Sequence, residues 1–397
     1  MTERRDSKIL QIIKSNRDWR NYFKENYPED IVIIEEGNFA IFNYRGLSNF
    51  CDPIVKEARG IIIDTFNCEV VCFPFTKFGK YDDYYADTID WSTAKVQEKI
   101  DGSIIKMWFN KYTGDWQFST NSVIDAKNAP TASGISYYDV ITSTEEYKII
   151  NKNIKAFNKD TTYIFELVSE YNRVVIKYNK NKLYLIGIRN NISGEEYEPN
   201  MLSLPKPLTY PLSSLDECLN YVNNIMNNVN GNLICDNEGF VVVDDNWNRI
   251  KIKSPIYMIL HCISDITKKN KIRLCNFIYN GSLDTRELSK DFSSTIHILK
   301  FYEYHVSEYL YNVSTIIDIS RKLYKMTNDR KKVASIISKH KYSNFGFTAI
   351  TNPEMTVDEI LERCAYNYDS VGAYIAKFIP DYESLPDNKE VWKNFEA

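Results

Sequence analysis

The feature that most constrains how this chain can fold is a change of period at Ser254-Pro255. Before it, short runs rich in Val, Ile, Phe and Tyr recur at 31–35, 59–64, 69–75, 103–109, 161–168, 173–178, 182–188, 239–243 and 249–253, separated by Gly, Asn and Asp. Such punctuated runs predict strands. After it, Ile256, Ile259, Leu260, Ile263 and Ile266 fall at steps of three and four, and 293–311, 313–326, 328–339 and 356–378 continue in that manner, which predicts helices. The strand-rich part is expected to open on one helix over Asp6 to Tyr27 and to be interrupted by another over Ser213 to Asn228. With 397 residues, more than one domain usually holds, two domains are expected: a mostly sheet domain over 1–254 and an all-helical one over 255–397.

Composition excludes several classes. Hydrophobic residues make up 44% of the chain and aromatic ones 14%, with no low-complexity tract, as in an ordered globular protein. The first residues, Met1 to Lys14, are charged, and no apolar run is long enough to span a bilayer, so the expectation is a soluble, cytoplasmic protein without a membrane partner. Eight cysteines are scattered without CxxC pairs, and none of the four histidines is spaced with them as zinc ligands would be. Any metal should therefore be hard and oxygen-bound. The net charge is −4, but its distribution is uneven: residues 255–342 carry fifteen Lys and Arg against eight Asp and Glu, and 343–397 carry four against ten.

Chemistry is concentrated in four segments. EKIDGSIIKMW at 98–108 sets Lys99 two residues before Asp101-Gly102, where glycine lets the backbone turn and approach a phosphate, and a lysine amine can act as nucleophile. FELV at 165–168 buries Glu166 in an apolar strand, and EGFV at 238–241 puts Glu238 at the head of another. Carboxylates so placed need partners. In RIKIK at 249–253, alternation sends Arg249, Lys251 and Lys253 to one face, which suits a polyphosphate, although an edge strand also carries lysines merely to resist aggregation.

In that order, KIDG, FELV, EGFV and KIKS resemble the motifs of the covalent nucleotidyltransferases, the ATP-dependent ligases and RNA capping enzymes. With ARGIIID at 58–64 and FPFTKFGKYDD at 73–83, the chain is most similar to the tRNA-repairing RNA ligases of large bacteriophages, the first RNA ligase family. The resemblance covers residues 58 to 254. It implies an α+β adenylyltransferase domain of antiparallel sheets with flanking helices, ATP as adenylate donor, Mg2+ or Mn2+, and an RNA substrate. By motif position, Lys99 is implied to attack the α-phosphorus of ATP with Asp101 beside it. Glu166 is implied to contact the ribose, and Glu238 to hold the metal's water shell or orient Lys99, with Asp101 as a further metal contact. Lys251 and Lys253 are implied to hold the phosphates, their field being expected to depress the pKa of Lys99, and Arg59 and Lys77 to contact the phosphates and nucleotide pocket. Arg173 is either family-like or a structural ion pair. One departure is visible: Ser119, Thr120 and Asn121 stand where related ligases carry a basic residue.

The expected reaction joins an RNA 3′-OH to a 5′-phosphate through a lysyl-AMP and an adenylylated RNA end, in repair of a broken tRNA or similar stem-loop, by a monomer. The basic residues after Pro255, Lys268, Lys269, Lys271, Arg273, Arg321, Lys322, Lys325 and Arg330 to Lys332, are expected to touch RNA. DNA ligases and capping enzymes share the intermediate, but they normally continue into short strands where this chain turns helical. A non-catalytic nucleotide- or RNA-binding relative has no chemical need for the full set of Lys99, Asp101, Glu166, Glu238, Lys251 and Lys253.

Overall fold

The computed structural model describes residues 7–46, 48–224, 237–264, 268–281 and 293–382. They fall into two compact units that change over between Ser254 and Pro255.

The first unit holds three antiparallel sheets. The first sheet is β1 (Ile31–Glu36), β2 (Phe39–Tyr44), β3 (Arg59–Asp64) and β4 (Glu69–Cys72), in that order. β5 (Lys95–Glu98) belongs to the third. The second sheet takes β6 (Ser103–Asn110), β7 (Asp115–Thr120), β8 (Thr161–Val168), β9 (Lys182–Asn190) and β10 (Glu196–Tyr197), in the order β10-β9-β8-β6-β7. The third runs β11-β5-β12-β13, where β11 is Thr209–Tyr210, β12 Gly239–Val243 and β13 Arg249–Lys253.

Helices cover the outer faces. α1 (Lys8–Ser15) and α2 (Trp19–Asn26) set Ile9, Ile13, Trp19 and Phe23 against Phe42, Ile61 and Ile63 of the first sheet, which α3 (Pro53–Glu57) also joins. α4 (Tyr137–Thr142) and α5 (Glu145–Lys152) pack Val140, Ile141 and Ile150 on Ile105, Met107 and Phe165. α6 (Leu215–Asn224) covers Phe240, Val242 and Ile250 with Cys218 and Val222. Between the first two sheets, Trp108 meets Ile41, Ile62 and Cys72 with no exposure. Burial of such a side chain contributes on the order of 2–3 kcal/mol.

Several sequence expectations change here. The opening helix is two helices, because Asn16 ends the first, donating from Nδ2 to the Ile12 carbonyl at 2.9 Å, and Asp18 caps the second by accepting from Asn21 N–H. The segment 173–178 is not a strand, since the amides of Val175 and Ile176 donate to the Asp101 carboxylate at 2.9 and 2.8 Å instead of to a neighbouring strand. The run at 69–75 pairs only as far as Cys72. Strands β2, β5, β7, β10 and β11 and helices α3, α4 and α5 are additions. Of the helix at 213–228, the part after residue 224 lies outside the described residues.

The described elements of the second unit are α7 (Pro255–Ser264), α8 (Lys268–Tyr279), α9 (Ser293–Thr327), α10 (Arg330–Ile337), α11 (Ser343–Thr351), α12 (Val357–Cys364) and α13 (Val371–Ile375). Their apolar faces converge on Leu299, Phe301, Tyr302, Val313, Phe345 and Ile360. The two segments at 293–326 form one continuous helix, whereas 356–378 breaks where Ser370 caps α13. No described helix is long and apolar enough to cross a membrane.

Candidate active site

Within the first unit, elements of all three sheets bound a cavity of about 280 Å³ lined by Arg59, Lys77, Lys99, Glu166, Arg249, Lys251 and Lys253 among others. Local pairing explains how residues so far apart in sequence meet. Lys99 follows β5 directly and is tied to β12 by its own N–H, which donates to the Gly239 carbonyl at 2.8 Å. The Cα partner of Gly239 is Lys253 on β13, and the Ser254 N–H donates to the Glu238 carbonyl at 2.9 Å. Glu166 lies opposite Ile104 on β6, just past the KIDG turn.

Glu238 is the electrostatic centre. Its side chain is 3% exposed, and its two oxygens are divided between two lysines, Oε2 at 2.7 Å from Lys99 Nζ and Oε1 at 2.6 Å from Lys253 Nζ. Burial alone would raise this carboxyl's pKa, but the two ammonium groups outweigh it and hold it below the ordinary value. Lys99 shows the converse balance. Burial works to lower its pKa, yet Glu238, Glu166 and Asp101 together hold it above the ordinary lysine value. The expectation that the neighbouring cations depress Lys99 is therefore corrected, because the nearest charges are carboxylates. Lys251 is the depressed lysine: burial, followed by Lys77, Lys253, Arg59 and Lys99, brings it down to about 7. Glu166 has no hydrogen-bond partner among the described residues, and burial raises it to about 7 against the pull of Lys99.

The other cations rest mainly on aromatic faces. Lys77 Nζ lies 5.0 Å from the Tyr44 ring centre and 5.1 Å from that of Phe50, and the Arg59 guanidinium lies 5.1 Å from Phe78. Arg249 sits 4.3 Å over Phe75 and also pairs with the buried Glu196 at 2.6 Å. Half of the lining cations, Arg59, Lys77 and Lys251, thus have no carboxylate ion pair among the described residues. Tyr44, Phe75 and Phe78 were not singled out from sequence, although the last two belong to the FPFTKFGKYDD run and aromatic spacing between basic residues was the available signal.

Two expected site residues are placed differently. The Asp101 carboxylate is 4% exposed and does not line the cavity, and its Oδ2 accepts the amides of Val175 and Ile176. Its backbone N–H donates to the Tyr178 hydroxyl at 3.2 Å. This is a backbone anchor beside the nucleophile, an unsuitable arrangement for a metal contact. Gly102 also lies off the cavity: a Cβ there would come within 2.4 Å of the Leu167 carbonyl oxygen, so glycine is required by close packing of β6 on β8. Gly102→Ala should destabilise the first unit by about 1–3 kcal/mol, read as a lowered denaturant midpoint. Arg173 uses its Nε on the Val175 carbonyl at 2.8 Å, inside the anchored segment.

A family model described as RNA ligase matches residues 57–257, just over half of the chain. The putative bifunctional polynucleotide kinase/RNA ligase of Autographa californica nuclear polyhedrosis virus is 28% identical over 268 residues, covering 63% of this chain and 37% of that longer protein. The RNA ligase of Rhodothermus phage RM378 is 24% identical over 331 residues, covering 68% of this chain and 74% of its own. Among solved structures, an archaeal ATP-dependent RNA ligase aligns over 92% of this chain and 84% of its own with 10% identity and a TM-score of 0.42. The matched stretch contains Arg59, Lys77, Lys99, Glu166, Glu238, Lys251 and Lys253, and the chain belongs to the RNA ligase family.

Proposed function

We propose that this protein is an ATP-dependent RNA ligase that carries AMP on Lys99. The observation that carries the reading is Lys99 Nζ held 2.7 Å from the buried Glu238 in a cavity shared with Lys251 and Lys253. In the first step the Lys99 nitrogen bonds to the α-phosphorus of ATP while the bond to the bridging oxygen breaks, and that electron pair leaves with pyrophosphate. The ammonium proton facing Glu238 Oε2 must be lost first, and incoming positive charge that competes for Glu238 makes this easier. Lys251 and Lys253 stabilise the departing phosphates. In the second step an oxygen of an RNA 5′-phosphate takes the AMP and Lys99 regains its proton. In the third, an RNA 3′-OH displaces AMP.

A divalent ion fits this site. Glu238 and Glu166 offer hard oxygen donors, and no closed group of three or more His, Cys, Asp or Glu is present among the described residues. Mg2+ or Mn2+ needs only one or two carboxylates if nucleotide oxygens and water complete its shell, and bound there it neutralises phosphate charge. Glu166, with its free carboxyl near neutrality, suits a ribose hydroxyl.

The helical unit is proposed to hold the RNA, a broken tRNA or stem-loop, with the protein acting as a monomer. Exposed Lys322 and Lys325 near the end of α9 and Arg330 to Lys332 at the start of α10 support this. Lys271 does not, because its buried amine is spent on the Ile379 carbonyl and Asp381. Arg321 is likewise engaged by the Met355 carbonyl, and the side chains of Lys268 and Lys269 lie outside the described residues.

Brief exposure to ATP followed by peptide mass mapping tests the reading, and comparing nicked DNA with single-stranded RNA tests the substrate. A further outcome follows from Lys251. It is half neutral near pH 7 in the free protein, and phosphate charge raises its pKa, so ATP binding at pH 8 should draw close to one proton onto it. Calorimetry in buffers of different ionisation enthalpy reads this uptake, which Lys251→Met should remove.

A further inference from the structure

Lys106 is a buried cation that the reaction outlined above leaves without a task. It sits on β6 with no exposure, and its Nζ donates to the Gly60 carbonyl. No carboxylate pairs with it among the described residues. Burying an unpaired ammonium costs several kcal/mol, so its presence calls for a reason. Its surroundings supply one. Gly60 adjoins Arg59, whose Nε and Nη1 are buried without a hydrogen-bond partner among the described residues, and the same holds for Nδ2 of Asn43, the cross-strand neighbour of Arg59. Two positive charges, Arg59 and Lys106, thus act on one another next to buried donors that lack a partner, and Arg59 lines the cavity. That is an environment completed by an anion.

The backbone is shaped for this contact. Gly60 has a φ of +80°, and a Cβ there would lie 2.7 Å from Lys106 Nζ and 2.5 Å from the Asn121 carbonyl oxygen. Only glycine lets β3, β6 and the end of β7 meet at that point. Lys106 is also the Cα partner of Ser119, in the stretch that lacks a basic residue.

We propose that Lys106 is a positioning residue of the ATP-phosphate corner: its ammonium pins the Gly60 carbonyl, aims Arg59 into the cavity, and adds charge to the field that holds the phosphates. The proposal rests on the ligase reading for the identity of the ligand. Burial brings Lys106 down to about 8, Cys72 opposing and Arg59 assisting, so its charge is available at neutral pH and fades in mild alkali.

The test is Lys106→Met, with Lys106→Leu as a second neutral substitution, read by calorimetric ATP binding, single-turnover adenylylation and thermal unfolding. Removing an unpaired buried charge should leave unfolding unchanged or shift it upward. The dissociation constant for ATP should rise about tenfold, as expected for loss of one charged hydrogen bond, with the rate at saturating ATP within about twofold. In the wild type, affinity should weaken between pH 7.5 and 9 through Lys251 and Lys106 together, and both variants should show a shallower fall, with only the part set by Lys251 remaining. Unchanged ATP affinity in both variants, or loss of the folded state in both, overturns the proposal. Absence of an AMP adduct on the wild-type protein would strike the ligase reading instead and leave the binding comparison interpretable.

Discussion

Lys99→Ala should take up no AMP from ATP, a loss of at least ~10³-fold in adenylylation, because the other amine on Glu238, that of Lys253, is held by the opposite carboxylate oxygen and not at the position of the nucleophile. Lys251 lines the same cavity but rests near Phe78 and has no contact with Glu238. Glu238 keeps Lys253 as its counter-ion in the variant, so the fold should survive, as far-ultraviolet circular dichroism would register. Sealing of an RNA that already carries an adenylylated 5′ end should remain in part, since that step needs no lysyl bond. Labelled ATP followed by gel analysis measures the first activity, and a pre-adenylated strand measures the second. Label appearing on the Lys99→Ala protein would place the nucleophile on another side chain.

The second large effect is expected at Glu238. Glu238→Ala removes one carboxylate shared by two lysines, each with about a fifth of its side chain exposed. Breaking buried pairs typically costs about 3–5 kcal/mol, and partial exposure places this case at or below the lower end. Adenylylation should fall by about 10²-fold or more, since an amine displaced by even ~1 Å from its line of attack loses that much. A pH profile separates this from simple unfolding. In the wild type Glu238 holds Lys99 above its ordinary pKa, so the rate should climb into alkali as the amine loses its proton. Without the carboxylate that support is gone, and the midpoint of the climb should move to lower pH even as the maximum drops. A profile scaled down without displacement would mean that Glu238 does not govern the proton on Lys99.

The extent to which sequence anticipates this molecule varies by element, for physical reasons. Strands β3, β8, β9, β12 and β13 are apolar or alternating runs, and burial is what such runs report. Strands β5 and β7 are polar, with Val96 the single buried residue of β5, so their pairing is set by neighbours and not by their own pattern. The segment 173–178 errs in the other direction. It has strand composition, but its amides are satisfied by one carboxylate 74 residues away in the case of Val175, a contact no local pattern contains.

At the site, Glu166 was legible because a charge in an apolar strand needs explanation. The same logic applied to Lys106 in SIIKMWF would have singled it out. The sign of the shift at Lys99 was not legible, since it depends on which of several charges stands at 2.7 Å.

The Asp101 anchor has one more consequence. Because it is two residues from Lys99, the nucleophile and the 173–178 segment are mechanically joined through a span of roughly 7 Å of extended chain. A push on that segment, from a docking strand or a crowding neighbour, would act on the backbone beside Lys99, while its amine stays tied to Glu238, so the segment bears on the aim of the nucleophile from the main-chain side.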